Sequence, residues 1–295
     1  MKMTLDSLQQ IKTSSSFDFC RQALYYLQYI IKTTPLKNRE KYLLEINEQG
    51  RTLSKMQPNM ANLKKNIAEV IYCVKKAIKT RKKDAEVLKC TLQKIQFLLE
   101  RAEQNKDRIA LTGSKLIPPN TRIVTIGHSA LVAEILITAF KQRRKFETYC
   151  LESAPTREGR ILAEKLARQG LSVSLAGDVC MGSLLQQATL ILCGSVRLYE
   201  NGFVNKIGTL PLALAAGAMK MPFYLVAETD KICSEREYAI RFYMREPEEV
   251  YIPRHKKIKI YNFHYESIPL SLVTKIITED GVFDLFEFKN WYLKD

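Results

Sequence analysis

The hydrophobic pattern of this 295-residue chain changes period once, near residue 115, and that change limits what the chain can fold into. Before it, apolar residues recur at steps of three and four, as in Phe17, Cys20, Ala23, Leu24, Leu27, Ile30 and Ile31. This spacing lines one helix face, and it predicts helices over Phe17–Lys32, Asn38–Met56, Met60–Thr80 and Asp84–Leu111. Asp84 is the expected N-cap of the last, with Glu86 in its first turn. Pro35 and Pro58 fall between helices, and Pro58 suits the first turn of the third. Thr112-Gly113-Ser114 and Pro118-Pro119-Asn120 then break the pattern. Beyond them, short apolar runs predict strands at Arg122–Ile126, Phe146–Leu151, Leu171–Ala176, Thr189–Cys193, Phe223–Ala227, Ile258–Tyr261 and Val273–Thr278. Helices are expected between them at Ala130–Gln142, Gly159–Gln169 (closed by Gly170), Cys180–Gln187 and Leu210–Lys220. The alternation implies an α/β protein: a helical N-terminal domain over 1–115, then a Rossmann-like domain with a mostly parallel sheet over 116–295.

Composition narrows the class. A hydrophobic content of 46% and a charged content of 26% are ordinary for a soluble globular protein. No apolar run reaches the roughly 18 residues that a membrane span needs, and Met1–Lys12 lacks the apolar core of a secretory signal. The seven cysteines are odd in number and scattered, with no Cys-x-x-Cys, which suits reduced, mostly buried thiols in a cytoplasmic protein. His128, His255 and His264 have no ligand spacing, so neither a metal nor a cofactor is expected. The formal charge is +15, and it is uneven. Up to Lys115 there are 23 Lys and Arg against 11 Asp and Glu; from Leu116 onward, 23 against 20. The densest cluster, Lys75 to Lys83, fits either an acidic protein or RNA partner or a solvated helix end.

The candidate chemistry lies at strand ends, which converge on one edge of a doubly wound sheet. Gly127-His128-Ser129 follows the first strand, and Ser129 either caps a helix or meets a phosphate. Glu152 to Gly159, including Arg157, follows the second strand. Asp178 and Cys180 follow the third; as a pair they could serve as acid and base. The stretch Glu200-Asn201-Gly202-Phe203-Val204-Asn205-Lys206-Ile207-Gly208-Thr209 follows the fourth and precedes a helix. It reads either as a phosphate site, with Lys206 and free helix N–H groups as donors, or as an ordinary strand-to-helix loop. Glu228, Asp230 and Lys231 follow the next strand. Arg157, Lys206 and Lys231 together would suit a sugar phosphate.

The Asn-Lys-Ile-Gly-Thr string behind Glu-Asn-Gly resembles the family of the alpha, beta and delta subunits of initiation factor 2B. That family also holds methylthioribose-1-phosphate and ribose-1,5-bisphosphate isomerases. Glu152-Ser153-Ala154-Pro155, Pro222 to Lys231, Arg245 to Val250, Asn262 to Pro269 and Gln57 to Leu63 agree in order. The resemblance implies dimerisation through the C-terminal domain, a phosphorylated sugar or nucleotide as ligand, and assembly with related subunits. It also implies ligand contacts from the segment Gln57 to Asn62, beside the strand-end candidates Gly127, His128, Ser129, Arg157, Asn205, Lys206, Glu228 and Lys231. The family's isomerases use a cysteine and an aspartate, and these positions align here with Gly127 and Val196. Ala154 stands where the family has an arginine. The departures favour a regulatory or scaffold protein over an isomerase. An isomerase would need a rearranged site drawing on Cys180, Asp178 or His128.

Overall fold

A computed structural model describes Leu5, Leu8 and residues 15–234 and 242–292. The expectation for Met1–Lys12 falls almost wholly outside the described residues. Four helices come first: α1 Ser16–Thr33, α2 Arg39–Met56, α3 Ala61–Lys79 and α4 Asp84–Lys115. Their starts show why local chemistry sets the boundaries. Ser15 caps α1 by accepting the Asp18 N–H, and Asn38 caps α2 by accepting from Glu40 and Lys41. Two expectations are corrected. Asp84 is the first residue of α4 rather than its cap; the Lys83 carbonyl accepts the Val87 N–H, and the Glu86 carboxylate takes the Lys83 N–H at 3.0 Å. Pro58 lies in the turn before α3, which opens only at Ala61. The apolar stripes meet in a core that includes Leu24, Leu27, Tyr42, Ile46, Leu53, Val70, Val74 and Leu98.

The chain divides into two compact units, Met1–Asn105 and Lys106–Asp295. The division falls inside α4 rather than at the composition break. The last turns of α4 belong to the second core, where Ile109 packs with Ile135 and Leu136. Gly113 has no room for a side chain, because a Cβ there would come within 2.5 Å of Ile135.

The second unit is built on a seven-stranded sheet in the order β10-β9-β7-β4-β1-β2-β3. Its strands are β1 Thr121–Thr125, β2 Phe146–Leu151, β3 Val173–Ala176, β4 Leu190–Gly194, β7 Phe223–Val226, β9 Lys275–Ile277 and β10 Val282–Phe283. All neighbours pair in parallel except β9 with β10. The intervening helices are α5 Ala130–Lys141, α6 Glu158–Arg168, α7 Met181–Leu185 and α8 Thr209–Ala218, and α9 Leu285–Tyr292 follows β10. Buried central strands such as β4, with every residue covered, explain the unbroken apolar runs in the sequence. Gly170 follows α6 at φ 88, as its closing position requires.

Three stretches differ from expectation. Ile258–Tyr261 is not a strand; the strand of that region is β8, Tyr265–Pro269. Cys180 ends a 3-10 turn, Asp178–Cys180, and α7 begins after it. The stretch after β4 is a hairpin rather than a loop. Here β5 Arg197–Tyr199 and β6 Gly202–Lys206 join β8 in a small antiparallel sheet. Gly202 is required there, since a Cβ would lie 2.5 Å from the Tyr199 hydroxyl and 2.7 Å from the Ile268 carbonyl.

Candidate functional site

The carboxyl ends of β1, β2 and β3 are tied by hydrogen bonds from backbone N–H groups to side-chain oxygens. Gly127, at φ 80, donates its N–H to Ser153 Oγ at 2.7 Å. Ser153 and Ala154 donate theirs to the two carboxylate oxygens of Asp178, at 2.8 and 2.7 Å. The first three loops therefore converge as the topology demands. Both Asp178 oxygens hold the loop after β2 in place, while Cys180 is exposed. Ser129 caps α5 through the Val132 N–H at 3.3 Å, its capping reading. His128 is half-buried, and Arg157 is exposed at the head of α6 with φ 60.

Lys206 ends β6 and is 3% exposed. Its Nζ lies 2.9 Å from Glu158 Oε1 and 5.1 Å from the Tyr265 ring centroid. The Glu158 contact is an ion contact off hydrogen-bond geometry, so the ammonium has no directed acceptor. A Cβ on Gly127 would sit 3.6 Å from Lys206 Cβ, which brings the β1 loop and the lysine together. A buried ammonium with unused donors, beside a glycine loop, is suited to an entering anion. Asn205 is committed elsewhere: its amide donates to Thr209 Oγ1 at 3.0 Å and to Cys193 Sγ at 3.1 Å. Burial pushes the Cys193 thiol up to about 12, which leaves it inert as a base at neutral pH.

The free N–H groups expected at the start of α8 are not free. Glu266 accepts the Leu210 N–H at 2.9 Å, and the N–H groups of Gly208 and Thr209 also hold its carboxylate. The protein thus supplies its own anion to this helix terminus. Phosphate binding at that position is corrected accordingly, and Lys206 is the donor left at this corner.

A further charged cluster lies at the end of β7. Glu228 is 4% exposed and Lys231 1%, with Lys231 Nζ 3.6 Å from Glu228 Oε2. Burial pushes Glu228 up to about 7; Glu279 and Asp230 act in the same sense, and Lys231 opposes them. Glu279 accepts from the Thr229 N–H and from the Thr229 hydroxyl. Among residues the sequence reading did not single out, Glu158, Tyr265, Glu266 and Glu279 shape these clusters. The one signal for Glu266 was its place inside the Asn262 to Pro269 motif. Val196, at the aligned aspartate position, is buried against Tyr199 and Val204. Beyond the sheet, His264 Nε2 meets Glu249 Oε2 at 2.5 Å, and burial lowers that histidine's pKa. Among the described residues no cluster of three or more His, Cys, Asp or Glu could hold a metal. No described helix is long and apolar enough to cross a membrane.

Residues 12–285 match the model of the initiation factor 2 subunit family. The chain belongs to this family. It is 31% identical over 239 residues to a translation initiation factor eIF-2B subunit 2-like protein of Pyrococcus furiosus, covering 80% of each chain. It is 26% identical over 288 residues to ribose 1,5-bisphosphate isomerase of Methanocaldococcus jannaschii, covering 96% of this chain and 91% of that one. The solved structure of translation initiation factor eIF-2B from Pyrococcus horikoshii OT3 superposes with a TM-score of 0.81 at 24% identity, covering 94% of both chains. The family thus holds both eIF-2B-like subunits and sugar-phosphate isomerases, and the fold is theirs.

Proposed function

We propose that this family member is a regulatory or scaffold subunit of the initiation factor 2B alpha type. It acts in the cytoplasm and assembles with a second copy or with related subunits. The observation that carries this reading is an exposed apolar strap in the second unit. Tyr243, Met244, Tyr251, Ile252, Ile258 and Tyr261 are all exposed within 20 residues, Ile252 at 71% and Tyr261 at 72%. Apolar surface of this density is the mark of a protein interface. Sedimentation velocity tests it. The wild-type chain should sediment as a dimer or larger of the 34.0 kDa protomer, and Ile252→Glu with Tyr261→Glu should return it to a monomer. A wild-type monomer at micromolar concentration would sink the reading.

Lys206 supports a retained sugar-phosphate or nucleotide site, and Gly127 and Val196 support the loss of isomerase chemistry. Neither side chain can carry a proton. A basic-half partner, acidic protein or RNA, rests on charge alone; RNA affinity insensitive to salt would argue against it.

Glu228 favours a second reading, an aldose–ketose isomerase of a phosphorylated ribose derivative. A buried carboxyl balanced near neutrality can take a proton from one carbon and return it to the next. Ketose formation from ribose 1,5-bisphosphate or methylthioribose 1-phosphate, followed by NMR, decides between the two. Turnover lost in Glu228→Gln supports the enzyme, and absence of turnover excludes it.

A further inference from the structure

Helices α3 and α4 are joined by residues 80–83 and run antiparallel, since Glu69 of one meets Lys94 and Arg101 of the other while Cys73 meets Cys90 nearer the turn. Cys73 lies six residues before the end of α3, and Cys90 lies six residues after the start of α4. Equal distance from the turn sets them side by side. The Cys73 thiol donates to the Cys90 carbonyl at 3.6 Å. Lys82, from the connecting turn, reaches back so that its Nζ lies 3.1 Å from Cys90 Sγ. Both cysteines are partly exposed and unbridged. The hydrogen bond from Lys82 sets Cys90 apart as the sulfur with a cation beside it. The contact pushes the Lys82 ammonium up, so it keeps its proton. Burial, foremost, pushes the Cys73 thiol up, which suits a sulfur that reacts second.

We propose that Cys90 and Cys73 form a reactive dithiol site that takes hydroperoxides, with Cys90 as the attacking sulfur and Cys73 as the resolving one. The Cys90 thiolate attacks the outer oxygen of R–O–O–H. The S–O bond forms as the O–O bond breaks, and the leaving alkoxide takes the electron pair beside the Lys82 ammonium and then a proton from solvent. Cys90 is now a sulfenic acid. The Cys73 sulfur attacks the Cys90 sulfur, the S–S bond forms, and hydroxide leaves with the Cys73 proton as water. Two thiols lose two electrons in total, and the hydroperoxide is reduced to an alcohol and water. The product clamps α3 to α4 beside the basic turn, a reversible change of the kind cytoplasmic redox-responsive thiols undergo.

The test uses the full chain with limiting hydrogen peroxide, followed by alkylation and peptide mass mapping. A Cys73–Cys90 cross-linked peptide, two hydrogens lighter than the reduced pair, is expected and should vanish with dithiothreitol. In Cys73→Ser, Cys90 should stop as a sulfenic acid captured by dimedone. In Lys82→Met, with helicity unchanged by circular dichroism, Cys90 oxidation should slow about tenfold. Cys180 is the exposed competitor, so the experiment is repeated in Cys180→Ser. Failure to find the cross-link in that variant while Cys90 stays reduced overturns the proposal. A Lys82→Met rate equal to wild type overturns the activation of Cys90.

Discussion

Replacing Lys206 with methionine keeps the apolar stem and removes the charge that faces Glu158. In the folded protein the Lys206 side chain is 3% exposed and that of Glu158 11%, so water replaces little of the lost partner. Breaking one side of a buried ion pair costs about 3–5 kcal/mol, because the other charge is stranded. The slight exposure of Glu158 places the expectation at the lower end, about 3 kcal/mol. For a unit of this size each kcal/mol moves the midpoint by about 2–4 °C, so the variant should melt about 6–12 °C below wild type. Some of the loss, on the order of 0.5–1 kcal/mol, belongs to the cation over the Tyr265 ring. Differential scanning calorimetry reads the shift. The double variant Lys206→Met with Glu158→Gln strands no charge and should recover most of the loss. Inorganic phosphate should raise the wild-type midpoint and leave the Lys206→Met midpoint unmoved. A single variant melting within about 2 °C of wild type would refute the reasoning, since the pair would then be solvated rather than buried.

Three further expectations follow from the same contacts. Gly159→Ala sets a Cβ 1.7 Å from the Leu151 carbonyl oxygen, so the head of α6 must retreat, at a cost of about 3 kcal/mol in urea unfolding; an unchanged midpoint would mean the helix moves freely. Glu228 has a folded pKa of about 7 against a reference of 4.5, so only the native state holds its proton between those values. Stability therefore falls as pH rises from 4.5 through 7, by on the order of 3 kcal/mol, and Glu228→Gln should flatten that slope; a variant that keeps the wild-type pH profile refutes the assignment. Asn38→Ala frees the Glu40 and Lys41 N–H groups and should cost about 1 kcal/mol, read from the thermal midpoint, with no change contradicting the cap.

The helical half was legible because amphipathic stripes such as Phe17 to Ile31 carry their period openly. The central strands were legible as short apolar runs, and Phe146–Leu151 lies where the sequence predicts it. Errors cluster where pairing is non-local. Glu200 to Lys206 looks like a loop because polar Asn205 and Lys206 interrupt it. It becomes a hairpin through β8, about 60 residues further on. Ile258–Tyr261 has the apolar content of a strand without an edge to join, and it is left exposed as part of the strap. In the site, sequence supplied the strand ends but not their partners. Nothing local says that Glu266 fills the start of α8 or that Glu158 faces Lys206.

Local spacing alone determined the order of helices and strands, the helix stop at Gly170, and the parallel sheet that gathers the loops at one edge. These depend on periods and caps that span a few residues. Only the tertiary structure decided which charges are neutralised. Lys206 is written as a basic residue in a polar string, yet its partner, its burial and its aromatic neighbour come from α6 and β8. Electrostatic energy depends on distance and solvent access, and both are set by chain segments that meet only after folding.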